Sequence, residues 1–161
     1  VNTRKLNFFL VLFVLGISSL AQARQEEGRK RFKCDRGRVT SSKFFLRDLE
    51  ADRALIEVGF SSLEECGIAL DSRLKNFICT PGRNTQNQFF IRNIQSAEVL
   101  VEAGFASIED CAIGIQAGRG QGLVCTPGRQ TKTKFFPRDL KTGNPVSTIG
   151  YDTVQECARA I

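Results

Sequence analysis

The sequence predicts an α+β fold of three tandem units of about 45 residues, each a short strand, a β-hairpin and a short helix, stapled by disulfides. Three observations predict it. The segment KCDRGRVTSSKFFLRD at 33–48 returns as ICTPGRNTQNQFFIRN at 78–93 and as VCTPGRQTKTKFFPRD at 124–139, offset by 45 and then 46 residues. The cysteines obey the same frame: Cys34 and Cys66, Cys79 and Cys111, and Cys125 and Cys157 are each 32 apart. Each second cysteine also lies in a segment with a helix-start signal and helical apolar spacing.

Residues 1–23 read as a secretory signal peptide. Arg4 and Lys5 form the basic start, an apolar run extends from Phe8 to Leu15, and Ala21-Gln22-Ala23 is a small-x-small cleavage site. Gly16, Ser18 and Ser19 interrupt the apolar run, which falls short of the ~20 residues of a membrane span. Cleavage near Ala23 gives a secreted or periplasmic mature chain with no membrane span, and lowers the formal net charge of +6 by two. An uncleaved anchor is the alternative. Val1, read as the literal translation of a non-standard start codon, points to a bacterial source. Residues 24–31 form a lead-in in which Glu26 and Glu27 precede the basic tract GRKRFK, a solvated approach to the first strand.

The first unit occupies 32–76, the second 77–122 and the third 123–161. None is large enough to hide its own apolar face, so the three are expected to pack into one compact domain. Within each, a short strand carries the first cysteine. The hairpin is read as KFFLRDL, a turn near Glu50 to Arg53, then LIEVGF. At 50–58 and 95–103 a helix competes with this reading, but the third unit writes TGNPVSTIGY there, and Pro145 would break a helix interior. The closing helices are SLEECGIAL, SIEDCAIGI and TVQECARAI. Ser62 with Glu65 and Thr153 with Glu156 form capping boxes, and Ser107 with the shorter Asp110 fits less well. Leu63, Cys66 and Leu70 fall on one stripe, as do Ile108, Cys111 and Ile115, and Val154, Cys157 and Ile161. DSRLKN at 71–76 and AGRGQG at 117–122 are connectors. The second follows a helix, so a helix stop and a joint explain its glycines better than a phosphate loop does.

An even cysteine count in an exported chain reads as disulfides. The simplest pairing is 34–66, 79–111 and 125–157, which gives every unit the same local geometry. A rival joins Cys66 to Cys79 and Cys111 to Cys125, leaving Cys34 with Cys157, and spacing alone does not choose. Each local bridge closes a loop worth roughly 3.5–4 kcal/mol in the chain-entropy model. The chain has no His and no C-x-x-C, so no metal site is expected.

Two recurrent features carry the functional reading. Arg38, Arg83 and Arg129 each follow a glycine in a turn, and Arg47, Arg92 and Arg138 follow the Phe-Phe doublets. A guanidinium can hold a carboxylate or phosphate through two parallel hydrogen bonds. The structural alternative is that these arginines pair with acids such as Asp48 and Asp139 or bond turn carbonyls. In the doublets Phe44-Phe45, Phe89-Phe90 and Phe135-Phe136, successive residues point to opposite faces. One ring is expected on the helix and the other on the next unit, unless the outer rings form a row of exposed stacking platforms.

With no His, no free cysteine expected and no G-x-S-x-G, the ordinary catalytic constellations are missing, and neither an enzyme nor a cofactor is expected. The expected function is an exported non-catalytic binding module for an anionic or glycan polymer of an envelope or extracellular matrix. The alternatives are a protein–protein device, such as an inhibitor or adhesin, and an unrecognised enzyme. No nucleic-acid motif is present.

Overall fold

The computed structural model describes residues 31–161 apart from Arg38 and Gln86. The leader, its cleavage site and most of the lead-in lie outside the described residues. The elements follow in the order β1 (Phe32–Arg36), β2 (Phe44–Asp48), β3 (Arg53–Ala54), α1 (Leu63–Ser72), β4 (Phe77–Pro81), β5 (Phe89–Asn93), α2 (Ile108–Gln116), β6 (Leu123–Pro127), β7 (Phe135–Asp139) and α3 (Val154–Arg159). The result is an α+β arrangement of three small antiparallel hairpins, each followed by a helix and each tied by one disulfide.

The hairpin is not the one expected. The Phe-Phe strand pairs along its whole length with the cysteine strand that precedes it: Cys34 lies opposite Leu46, Cys79 opposite Ile91 and Cys125 opposite Pro137. The following segment, expected as the second arm, is neither helix nor regular strand. It shrinks to the two-residue β3 in the first unit and to isolated bridges elsewhere. The bridges give the reason. Val99 meets Arg92 and Phe105 meets Phe89, so six steps of chain lie opposite three. The surplus arches off the sheet, and in the third unit Pro145 has no N–H with which to extend a ladder. The arch turns its apolar side inward, burying Ile56, Val101 and Ala103.

The helix starts are as the capping signals require. Ser62, Ser107 and Thr153 accept from the backbone N–H groups of Glu65, Asp110 and Glu156. Glu65 and Glu156 reach back to the N–H groups of Ser61 and Asp152, one residue ahead of the cap, while Asp110 has no such bond among the described residues. Each helix lies on the cysteine face of its own hairpin. The structure joins Cys34 to Cys66, Cys79 to Cys111 and Cys125 to Cys157, with Cα separations of 5.9, 6.0 and 6.0 Å. All six cysteines are thereby used, which fits an oxidising compartment.

The other flank of each helix meets the next unit. α1 packs on β4 and α2, and α2 packs on β6 and α3, so the units stack in chain order with one buried cluster running through all three. At the second junction the contact is backbone to backbone. A Cβ on Gly114 would collide with the carbonyl oxygen of Cys125 and stand 2.9 Å from the Phe105 ring. A Cβ on Gly143, which takes φ +69°, would lie 2.7 Å from the carbonyl oxygen of Leu100 in the preceding unit. Stacking also corrects one expected core position. Leu63 is 55% exposed, whereas Ile108 and Val154, which lead helices packed on a preceding helix, are buried. No described helix is long and apolar enough to cross a membrane.

Candidate functional site

The Gly-Arg turns close in the same way in each unit. Gly82 N–H donates to the Gln88 carbonyl at 2.9 Å and Gln88 N–H to that of Thr85 at 2.9 Å, and Gly37 with Lys43 and Gly128 with Lys134 repeat the pattern. Glycine is required by close approach. A Cβ on Gly82 would lie 2.8 Å from Cε2 of Phe90, and one on Gly104 would lie 2.7 Å from Cζ of the same ring. Phe45 and Phe136 are held between Gly37 and Gly59 and between Gly128 and Gly150 in the same manner. The second ring of each doublet is therefore half-buried in a glycine slot of its own unit and stands outside the central cluster, while Phe44, Phe89 and Phe135 join it.

The strand register then sets the arginines. Arg92 lies opposite Ile78, so Ile78, Thr80, Phe90 and Arg92 share the face opposite the disulfide. Arg92 is 8% exposed and donates from Nε to Thr80 Oγ1 at 3.2 Å and from Nη1 to the Ala97 carbonyl. Arg138, 7% exposed, repeats the arrangement, bonding Thr126 Oγ1 at 2.8 Å and the Gly143 carbonyl at 2.9 Å. The accepting carbonyls are held by a turn in which Ala97 and Gly143 take positive φ, 59° and 69°. Among the described residues no acid pairs with either guanidinium. Burial, and then Arg83 beside Arg92 or Arg129 beside Arg138, lowers the basicity of each.

The loop arginines differ among themselves. Arg129 is exposed, with no ion pair among the described residues. Arg83 is exposed and loosely paired at 3.5 Å with Glu57 of the preceding unit. Arg38 lies outside the described residues. In the first unit Arg47 is treated differently from Arg92 and Arg138: its Nη1 is 3.5 Å from the Asp52 carboxylate, and the residue at the Thr80 position is Asp35. Asp52 holds the same positive-φ place, at 45°, that Ala97 and Gly143 hold in the other units.

The acids proposed as arginine partners act elsewhere. Asp48 accepts from Arg31 at 2.8 Å and from the N–H groups of Glu50 and Ala51. The Arg31 bond, reinforced by those N–H groups, holds its carboxyl below the ordinary carboxylate range. Asp139 closes its own turn through Thr142 and Lys141, bonds that depress its pKa as well. Sequence reasoning missed Arg31, Thr80, Thr126 and Asp52. A usable signal was present: the residues flanking the first cysteine change from Lys33 and Asp35 to Ile78 and Thr80 and to Val124 and Thr126. Among the described residues no group of three or more His, Cys, Asp or Glu could hold a metal ion. Comparison of the chain with protein-family models, with curated proteins and with solved structures finds no match in any of the three.

Proposed function

We propose that this protein is an exported, non-catalytic binding module whose ligand is an anionic or glycan polymer of an envelope or extracellular matrix, met after removal of the leader near Ala23. One observation carries this reading. Two successive units each bury an arginine with no acid partner among the described residues, beside an exposed loop arginine and on the strand face that also carries a half-buried phenylalanine. A buried guanidinium without a counter-ion favours any anion that approaches it. Two such positions on one stack gain through effective concentration when the ligand is itself repetitive.

A protein partner is the second reading, favoured by the unequal loop tips. Val39 is 97% exposed where the other units carry Asn84 and Gln130, and Val146 and Ile149 are exposed in the third unit alone. Co-sedimentation of the oxidised mature chain with polygalacturonate, dextran sulfate and neutral dextran beads, from about 50 to 500 mM salt, separates the two. Retention on the acidic beads that fades with salt is expected. Absence of retention on every bead would discard the polymer reading in favour of a protein partner.

A further inference from the structure

Acidic side chains grade the three arginine positions, and the grading identifies where an oxyanion binds. We propose that the third unit, through Arg129 and Arg138, holds the principal site for an oxyanion-bearing polymer, that Arg83 and Arg92 form a weaker second site, and that the first unit is silent. This rests on the polymer reading above and adds which units bind and why.

The third unit sets the exposed Arg129 beside a buried, fixed guanidinium, that of Arg138. Nε of Arg138 is taken by Thr126 and Nη1 by Gly143, which fixes the guanidinium plane and leaves Nη2 with no protein partner among the described residues. Arg129 follows Gly128, where a Cβ would lie 2.8 Å from Cε2 of Phe136, the residue two before Arg138 on the same strand face. Loop and strand arginines are thus brought to one ring, an arrangement suited to a carboxylate, sulfate or phosphate oxygen pair. The second unit repeats this with Arg83, but Glu57 of the first unit competes for that side chain. In the first unit a carboxylate, Asp52, already occupies Arg47, and Asp35 replaces the threonine. Among the described residues Arg47 thus has an acid partner of its own unit, whereas Arg92 and Arg138 have none.

The outer face of the first unit agrees. Where β4 and β6 present Ile78 and Val124 to the preceding helix, β1 presents Lys33, ion-paired with Asp35 at 3.0 Å. No described helix covers that face, and its polar surface suits its exposure.

The test uses the whole oxidised mature chain and measures affinity for fluorescently labelled polygalacturonate, dextran sulfate and polyphosphate at low salt. Arg129→Gln is expected to weaken binding about tenfold, the scale of a lost charge-assisted contact, and Arg83→Gln less, about threefold. Glu57→Gln and Asp52→Asn are expected to tighten binding about twofold, because each releases an arginine, and a gain cannot come from misfolding. Glu64→Gln, an equal change of charge in the first turn of α1, is the control and should move affinity less than either. Equal losses for Arg83→Gln and Arg129→Gln, or gains no larger than that of the control, would overturn the grading while leaving polymer binding intact. A wild-type chain that binds none of the probes would overturn both. The preferred probe tells carboxylate, sulfate and phosphate polymers apart.

Discussion

The first unit and the two that follow it share a backbone plan but not an environment, and the difference falls on a few side chains. The cysteine strand of the first unit is buried on one side only, and arginines cover its leading aromatic: Arg31 and Arg73 lie 5.3 and 4.3 Å from the centre of the Phe32 ring. In β4 and β6 every residue after the first is buried, because a helix lies on each side. Identical elements therefore carry opposite chemistry on the face away from the disulfide: a lysine–aspartate pair where no described helix covers it, and aliphatic residues with an arginine–threonine bond inside the stack. Position in a stack, more than unit sequence, sets what each residue can do.

Exchanging residues between units breaks this comparison most severely. Ile78→Lys places the side chain of Lys33 against α1, burying an unpaired charge, and is expected to cost more than about 4 kcal/mol in chemical denaturation. The reverse exchange, Lys33→Ile, is expected to change stability by less than about 0.5 kcal/mol. If both exchanges cost the same, the outer face of β1 is covered as that of β4 is.

The junction between the second and third units comes next. Gly114→Ala drives a methyl group into the Cys125 carbonyl and should cost about 1–3 kcal/mol, as overpacking does. The first unit already has alanine, the buried Ala69, at this place. Ala69→Gly should therefore cost only about 1 kcal/mol, chiefly from helix propensity.

Thr126→Val probes the buried arginine. It leaves Arg138 Nε without its acceptor and should cost about 1–3 kcal/mol. A larger loss of polymer affinity than of stability would show that the guanidinium is positioned for a ligand as well as for the turn.

The smallest effect concerns pH. Asp48 has a depressed pKa in the folded protein, chiefly from Arg31, so its contribution is present above the ordinary carboxylate value and is lost as pH falls through the lower folded value. Asp48→Asn should flatten that acid-side slope without abolishing the fold, because Asn93 fills the same place in the second unit and accepts the same turn N–H bonds. An unchanged slope would mean that other carboxylates dominate acid unfolding.

Much of this organisation was legible. The capping signals placed all three helices, and the 32-residue frame named the simplest disulfide pairing, although spacing left a rival open. The hairpin was misplaced because the Phe-Phe strand has two candidate partners of similar apolar content. Six steps of chain opposite three is a register property that no local pattern reveals. Arg92 and Arg138 were found as candidates, but their threonine and turn-carbonyl partners depend on that same register.

The sequence by itself determined the local chemistry: where helices begin, which cysteines share a frame, and where a glycine must stand beside a ring. Only the tertiary structure decided which face of each unit is covered and which arginine keeps a counter-ion. Burial and pairing depend on neighbours brought together across tens of residues, whereas caps and turns are settled within four or five.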